Sequence, residues 1–180
     1  HNWFTGSGMT YLYNADLTHY GDSFWCTVNP YRLAGTTVPR TSRADGYGQS
    51  QASSFNWVGG ASLDDTYGAV GMELGTYGGT LTARKSWFCF DDEIVALGAG
   101  ITSRDTTNIE TTAENRMITT AGTNVFTVDG VVQSATLGWS NVFTGLSWAH
   151  LVGDVVGADI GYYSPQPVTL QALREARTGS

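Results

Sequence analysis

Two long apolar runs, Leu81 to Phe90 and Ile94 to Ile101, stand either side of Asp91-Asp92-Glu93, and this pairing constrains the chain more than any other feature in it. Strand-length apolar runs flanking a short polar break specify a hairpin by composition. The acidic triplet could ligate calcium through its oxygens, yet consecutive carboxylates at a turn are more often a solvated hairpin tip. A second hairpin is written in Val125 to Val132, VFTVDGVV, where Asp-Gly between β-branched residues suits a type I′ turn.

Further strands are expected at Phe55 to Gly60, Ala69 to Leu74 and Thr80 to Phe90, separated by Asp64-Asp65 and Gly78-Gly79. Ile109 to Ile118 alternates like a half-exposed strand, and Phe143 to Val152, Gly157 to Tyr163 and Val168 to Leu173 complete the set. Turn signals at short intervals with no sustained helical period make the fold all-β, an antiparallel β-sandwich. No internal repeat or low-complexity linker interrupts it, so residues 1–180 read as one domain. A chain of this size can bury roughly 70% of the surface it exposes when unfolded, enough for a core of its own.

Charge excludes one class of partner. With a net charge of −7 the chain has no basic face to release phosphate counterions, and nucleic acid is not expected. A local exception is the cluster Arg32, Arg40 and Arg43. No run of 18 apolar residues and no signal peptide is present, so the chain is read as soluble with no membrane partner. It begins at His1, which fits a mature secreted chain or an excised piece. No Cys or His spacing suggests zinc, and no metal or cofactor is expected.

Chemistry concentrates between Gly8 and Thr37, GMTYLYNADLTHYGDSFWCTVNPYRLAGTT. Met9 to Asn14 reads as a strand with Met9, Tyr11 and Tyr13 on one face and Asn14 at its end. Asp16 to Asp22 is turn-like, Phe24 to Val28 is an apolar run stopped by Asn29-Pro30, and Pro39 to Gln51 is a surface loop long enough to bind a ligand. Tyr11, Tyr13, Trp25 and Tyr31 offer flat faces for stacking on sugar rings, although aromatics on alternating strands are more often core, and at least half of the four are expected to be buried. His19 could act as a base and Tyr20 as an acid if the site tuned them, against the reading of THYGD as an exposed turn. His150, beside Trp148, reads as a satisfied core or edge histidine.

The long block just quoted, with KSWFCFDDEIVALGAGI at Lys85 to Ile101 and ENRM at Glu114 to Met117, resembles the central sandwich domain of polysaccharide lyase family 8. Hyaluronate, chondroitin AC and xanthan lyases belong there, and the hyaluronate and Streptomyces-type members are nearest in character. The resemblance implies a super-sandwich-like fold without the α/α-toroid that precedes it in the family. It implies cleavage of an acidic polysaccharide, hyaluronan or a relative, by β-elimination, in a secreted protein. The alternative is a carbohydrate-contacting module that needs the missing toroid for turnover.

The same resemblance places Asn14 at a substrate-contacting position, neutralising a uronate carboxylate, whereas the residue alone reads equally as a turn cap. Tyr11 stands where relatives carry a carboxylate. Arg32 is better placed than Arg116 to meet a substrate carboxylate, and Arg116 reads as structural. Cys26 and Cys89 fall one in each family block, which raises a bridge between them as a hypothesis.

Overall fold

The computed structural model describes residues 4–21, 23–48 and 52–179. Among the described residues ten antiparallel strands, one single-turn α-helix and a 3₁₀ turn at Thr5–Ser7 carry the regular structure, so the all-β expectation holds. The chain divides into two compact units, His1–Tyr11 with Asn29–Asn115 and Leu12–Val28 with Arg116–Ser180. The chemistry-rich stretch from Gly8 to Thr37 is thus shared between them. Among the described residues no helix is long and apolar enough to cross a membrane.

The first unit holds β1 (Thr37–Pro39), β2 (Val58–Leu63), β3 (Tyr67–Gly75), β4 (Thr82–Phe90), β5 (Glu93–Thr102) and β6 (Ile109–Thr111). Strands β2 to β5 form a meander in chain order. Asp64 and Asp65 both take left-handed backbone angles at the centre of the Leu63 to Thr66 turn, within a three-residue connection that closes β2 onto β3. Phe90 faces Glu93 across Asp91-Asp92, which makes the acidic triplet the hairpin tip that the apolar runs specified. Of the long strand expected at Ile109 to Ile118 only β6 forms. It pairs with β1, a strand sequence reasoning gave to no element, and Thr36, Thr37 and Val38 are fully buried there.

One end of the meander is closed by Phe4, Leu33, Leu74, Leu81 and Ala83, all buried. Lys85 is buried among them. Its ammonium donates to the carbonyl of Gly35 and to that of Ser7 at 3.5 Å, and burial pulls its pKa down to about 8. A buried ammonium held by carbonyls, and 5.3 Å from the centre of the Trp87 ring, fastens the N-terminal segment to β4. Both edges are open: every residue of β2 and β5 is exposed, including Leu63, Ile94 and Leu97.

The second unit holds α1 (Phe24–Thr27), β7 (Phe126–Val128), β8 (Val131–Val132), β9 (Ser140–Leu151) and β10 (Ile160–Leu173). The apolar run at Phe24 thus winds a single helical turn. The sheet order is β10-β9-β7-β8, over a core of Val128, Leu146 and Ala149 with Phe126, Phe143, Tyr162 and Leu170 against it. Asp129 and Gly130 both lie at positive φ, so the expected Asp-Gly hairpin is the one observed. The Asp129 carboxylate also accepts the Ser147 and Trp148 amides at 3.2 and 3.0 Å, replacing ladder bonds where β7 turns away.

The two strands expected at Gly157 to Tyr163 and Val168 to Leu173 are one strand, β10. Its register slips between Tyr163 and Thr169 because Pro165 and Pro167 have no amide hydrogen to donate. Arg174 follows directly, is buried, and donates to the carbonyls of Ser134, Gly122 and Asn124 at 2.9, 2.8 and 2.5 Å. His150 pairs with Asp159 at 3.2 Å and is half-buried, a satisfied histidine as its sequence context indicated. Cys26 and Cys89 are both free and exposed, so the hypothesised bridge is not formed.

Candidate functional site

The segment from Met9 to Asn14 is not a strand. Side chains take the place of a strand partner at Leu12: its amide donates to the Tyr20 hydroxyl at 3.1 Å, and its carbonyl accepts Arg116 Nη1 and Nη2 at 3.3 and 3.4 Å. Exposure nevertheless alternates along it, with Tyr11 and Tyr13 outward and Leu12 and Asn14 half-buried. None of Tyr11, Tyr13, Trp25 and Tyr31 is buried: the first three are exposed and Tyr31 is half-buried, against the expectation that at least half would be core.

Beyond Tyr13 the chain is reeled in by two consecutive Asx turns. Asn14 Oδ1 accepts the Asp16 amide at 3.0 Å, and Asp16 Oδ1 accepts the amide and hydroxyl of Thr18 at 2.9 and 2.6 Å. These bonds hold the Asp16 carboxyl below the usual carboxylate range. Asn14 Nδ2 donates to the Ala158 carbonyl at 2.9 Å. The amide is therefore fixed on both sides, with one hydrogen left over. The turn-capping role is thus observed, and it leaves the orientation of the group fixed.

The turns throw His19 inward. Its side chain is 1% exposed, so the reading of THYGD as an exposed turn is wrong for this residue. Tyr20 and Phe24 meet its ring edge-on at centroid distances of 4.2 and 5.0 Å, and Tyr13 lies 5.1 Å from Tyr20 and Trp25 4.9 Å from Phe24. His19 Nδ1 accepts the Met117 amide at 3.1 Å, while Nε2 is buried without a hydrogen-bond partner. Burial, reinforced by the nearby Arg116 charge, pushes its pKa down to about 4. It is neutral at ordinary pH, as a base must be, but it is sealed from solvent and its ring cannot reach a sugar.

Arg116, set aside as structural from the sequence, shares with Asn14 a cavity of about 10 Å³, with Asp16, Asn124 and Asp154 in the lining. That volume admits one water. Asn124 Nδ2 donates to the Val152 carbonyl at 3.0 Å and to Asp154, and its Oδ1 accepts the Thr119 amide at 2.9 Å. Sequence reasoning missed Asn124 and Asp154 because their segment carries no motif; ENRM was the available signal for Arg116.

The remaining candidates belong to the first unit. Arg32 does meet a carboxylate, but it is that of Glu110, through Nε at 3.0 Å and Nη2 at 3.2 Å, and Arg40 shares the same acid at 3.3 Å. Two of its five N–H donors are thereby committed to a carboxylate inside the protein. The Tyr31 hydroxyl accepts the Arg43 amide at 3.1 Å and its ring lies 5.9 Å from Phe4. Among the described residues no group of three His, Cys, Asp or Glu side chains is arranged to hold a metal ion.

Comparison with known proteins gives a consistent set of relatives. The family model described as polysaccharide lyase family 8, super-sandwich domain, matches residues 1–180. A xanthan lyase from Bacillus sp. (strain GL1) is 51% identical over 179 residues, covering 99% of this chain and 19% of that protein. A hyaluronate lyase from Thermasporomyces composti is 42% identical over 180 residues, covering 99% and 22%. The solved Paenibacillus xanthan lyase superposes with a TM-score of 0.92 at 50% identity, over 99% of this chain and 17% of that one. The chain spans about a fifth of the length of the curated relatives it matches.

Proposed function

This chain belongs to polysaccharide lyase family 8, as a super-sandwich domain, and on that premise we propose that it is the sandwich portion of an enzyme that cleaves hyaluronan or a related uronic-acid polysaccharide by β-elimination. The reaction needs the uronate carboxylate neutralised so that the C5 proton becomes acidic, a base to remove that proton, and an acid for the departing O4. Asn14 supplies the first, through the amide hydrogen that its turn leaves free. Tyr13, 64% exposed and packed on Tyr20, offers a sugar-stacking face beside it.

The observation that carries this division of labour is the burial of His19. With its Nδ1 occupied by the Met117 amide and its ring enclosed by aromatics, it packs against Tyr20 and Phe24 and does not transfer the proton. Proton transfer then comes from polypeptide outside these 180 residues, consistent with the fraction of each relative that the chain covers. Polymers of this kind are too large to cross a membrane, so the enzyme acts outside the cell.

A new C4–C5 double bond absorbs in the ultraviolet, which gives the test. Incubated alone with hyaluronan, the chain should bind without a rise in absorbance. A chimera in which it replaces the matching segment of the Thermasporomyces composti hyaluronate lyase should turn over, and Asn14→Ala in that chimera should lower the rate by about a hundredfold or more with the fold retained. A rise from the chain alone would overturn the assignment of proton transfer elsewhere; an Asn14→Ala chimera with full activity would remove Asn14 from the site.

A further inference from the structure

In the first unit, a cleft of about 290 Å³ opens between the Pro39 to Gly48 loop, the β3–β4 connection and the segment after β5. We propose that this cleft binds a neutral pyranose unit of a glycan, stacked on Tyr47 and held through a hydroxyl by Asp105. The inference rests on the cleft's own residues, and it goes beyond the lyase reading, which concerns the second unit.

One wall is aromatic and rigid. The Tyr47 ring is 42% exposed and lies 5.6 Å from the ring of Tyr77. The Arg43 guanidinium sits over Tyr47 at 4.9 Å and over Phe4 at 5.0 Å, and its Nη2 donates to the Tyr77 carbonyl at 3.4 Å. The cation thus pins the ring from one side. From the other, the Tyr47 hydroxyl rests directly on Gly78, where any side chain would collide with it and where φ is +70°. A ring fixed in this way presents a face at little entropic cost, as stacking on the apolar face of a sugar requires.

The opposite wall is an oriented acceptor. Asp105 Oδ2 takes the Thr80 amide and Oδ1 the Thr80 hydroxyl, each at 2.9 Å, and Gly79 leaves room for the carboxylate to lie against the turn. Those bonds keep the carboxyl ionised below its usual range. With Ser103 adding a third bond, one acceptor site of the carboxylate remains for a sugar hydroxyl. Thr41 and Thr106 add hydroxyls to the rim.

Charge selects among sugars. Arg43 and Asp105 balance: the arginine lies against two rings and donates to the Tyr77 carbonyl, while the carboxylate lines the cleft. A uronate there would face Asp105 at short range, so a neutral ring fits and an acidic one does not.

The test is an amide chemical-shift titration of the isotopically labelled chain with cellotetraose, a neutral and flat probe, and in parallel with tetragalacturonic acid. Cellotetraose should give saturable shifts at Tyr47, Gly78, Gly79 and Asp105 to Thr107, with affinity at least about tenfold above the acidic probe. Tyr47→Ala and Asp105→Asn should each weaken it by about tenfold. Because Asp105 also anchors Thr80, Thr106→Trp provides a variant that plugs the cleft from an exposed position and should abolish the shifts at an unchanged unfolding temperature. Absence of saturable shifts, tighter binding of the acidic probe, or undiminished binding by Thr106→Trp or Tyr47→Ala would overturn the proposal.

Discussion

His19 shows how one residue's environment reverses its chemical meaning. Adjacent to a tyrosine in a polar segment, it has the composition of a proton-transfer pair; enclosed by Tyr20 and Phe24 it becomes a neutral packing residue. Its pKa of about 4 in the folded chain lies below the value of about 6.5 expected when unfolded. Between those values the unfolded chain binds more protons, so the stabilisation is complete above pH 6.5 and is lost as pH falls toward 4. The loss should be about 3 kcal/mol. Urea unfolding at pH 7 and pH 4.5 should show it, and His19→Asn, which keeps an acceptor for the Met117 amide, should be less stable at both but lack that component of the slope. An equal slope in the variant would refute the assignment. Arg32 makes the same point: its preference for a carboxylate was legible, but which carboxylate depends on β6 lying beside it.

At the scale of elements, turns and terminal clamps decide stability. Asp64 and Asp65 occupy left-handed positions at the centre of the β2–β3 turn, where Asp-Gly is the favoured pair. Asp65→Gly should stabilise the chain by about 0.5 kcal/mol, the relief of backbone strain exceeding the added freedom of the unfolded state. Thermal unfolding reads this, and a lowered midpoint would contradict it. Arg174 holds three carbonyls of the 122–134 segment from the end of β10. Arg174→Met leaves buried acceptors unpaired and should cost about 3 kcal/mol or more. Arg174→Lys should recover only part of that, since an ammonium cannot reproduce the guanidinium fork. Full recovery by lysine would show that charge, not geometry, is what β10 requires.

For the molecule as a whole, the open β5 edge of the β2–β5 meander is the dominant liability. An edge strand exposing Ile94, Val95, Leu97 and Ile101 is a template for pairing with another chain. The 180-residue chain alone should therefore bind an apolar dye and self-associate as its concentration rises. Leu97→Lys should reduce both without lowering the unfolding temperature, because the side chain is already 54% exposed. Sedimentation that shows a monomer at high concentration in the unsubstituted chain would count against this edge as an interface.

The sequence alone determined what depends on neighbours in the chain: the Asp-Gly hairpin at Asp129, the β4–β5 hairpin and the all-β class, because turn chemistry and apolar run length act locally. The family blocks were legible for the same reason, as ordered strings of residues. Tertiary structure decided what depends on partners distant in sequence. Met9 to Asn14 looked like a strand but bonds to Tyr20 and Arg116; Ile109 to Ile118 looked like one strand but keeps only the three residues that β1 can pair. It also decided that Asn14 is a fixed amide beside Arg116, Asn124 and Asp154, and that His19 is sealed. Burial and hydrogen-bond satisfaction are properties of the packed chain, and no spacing along it encodes them.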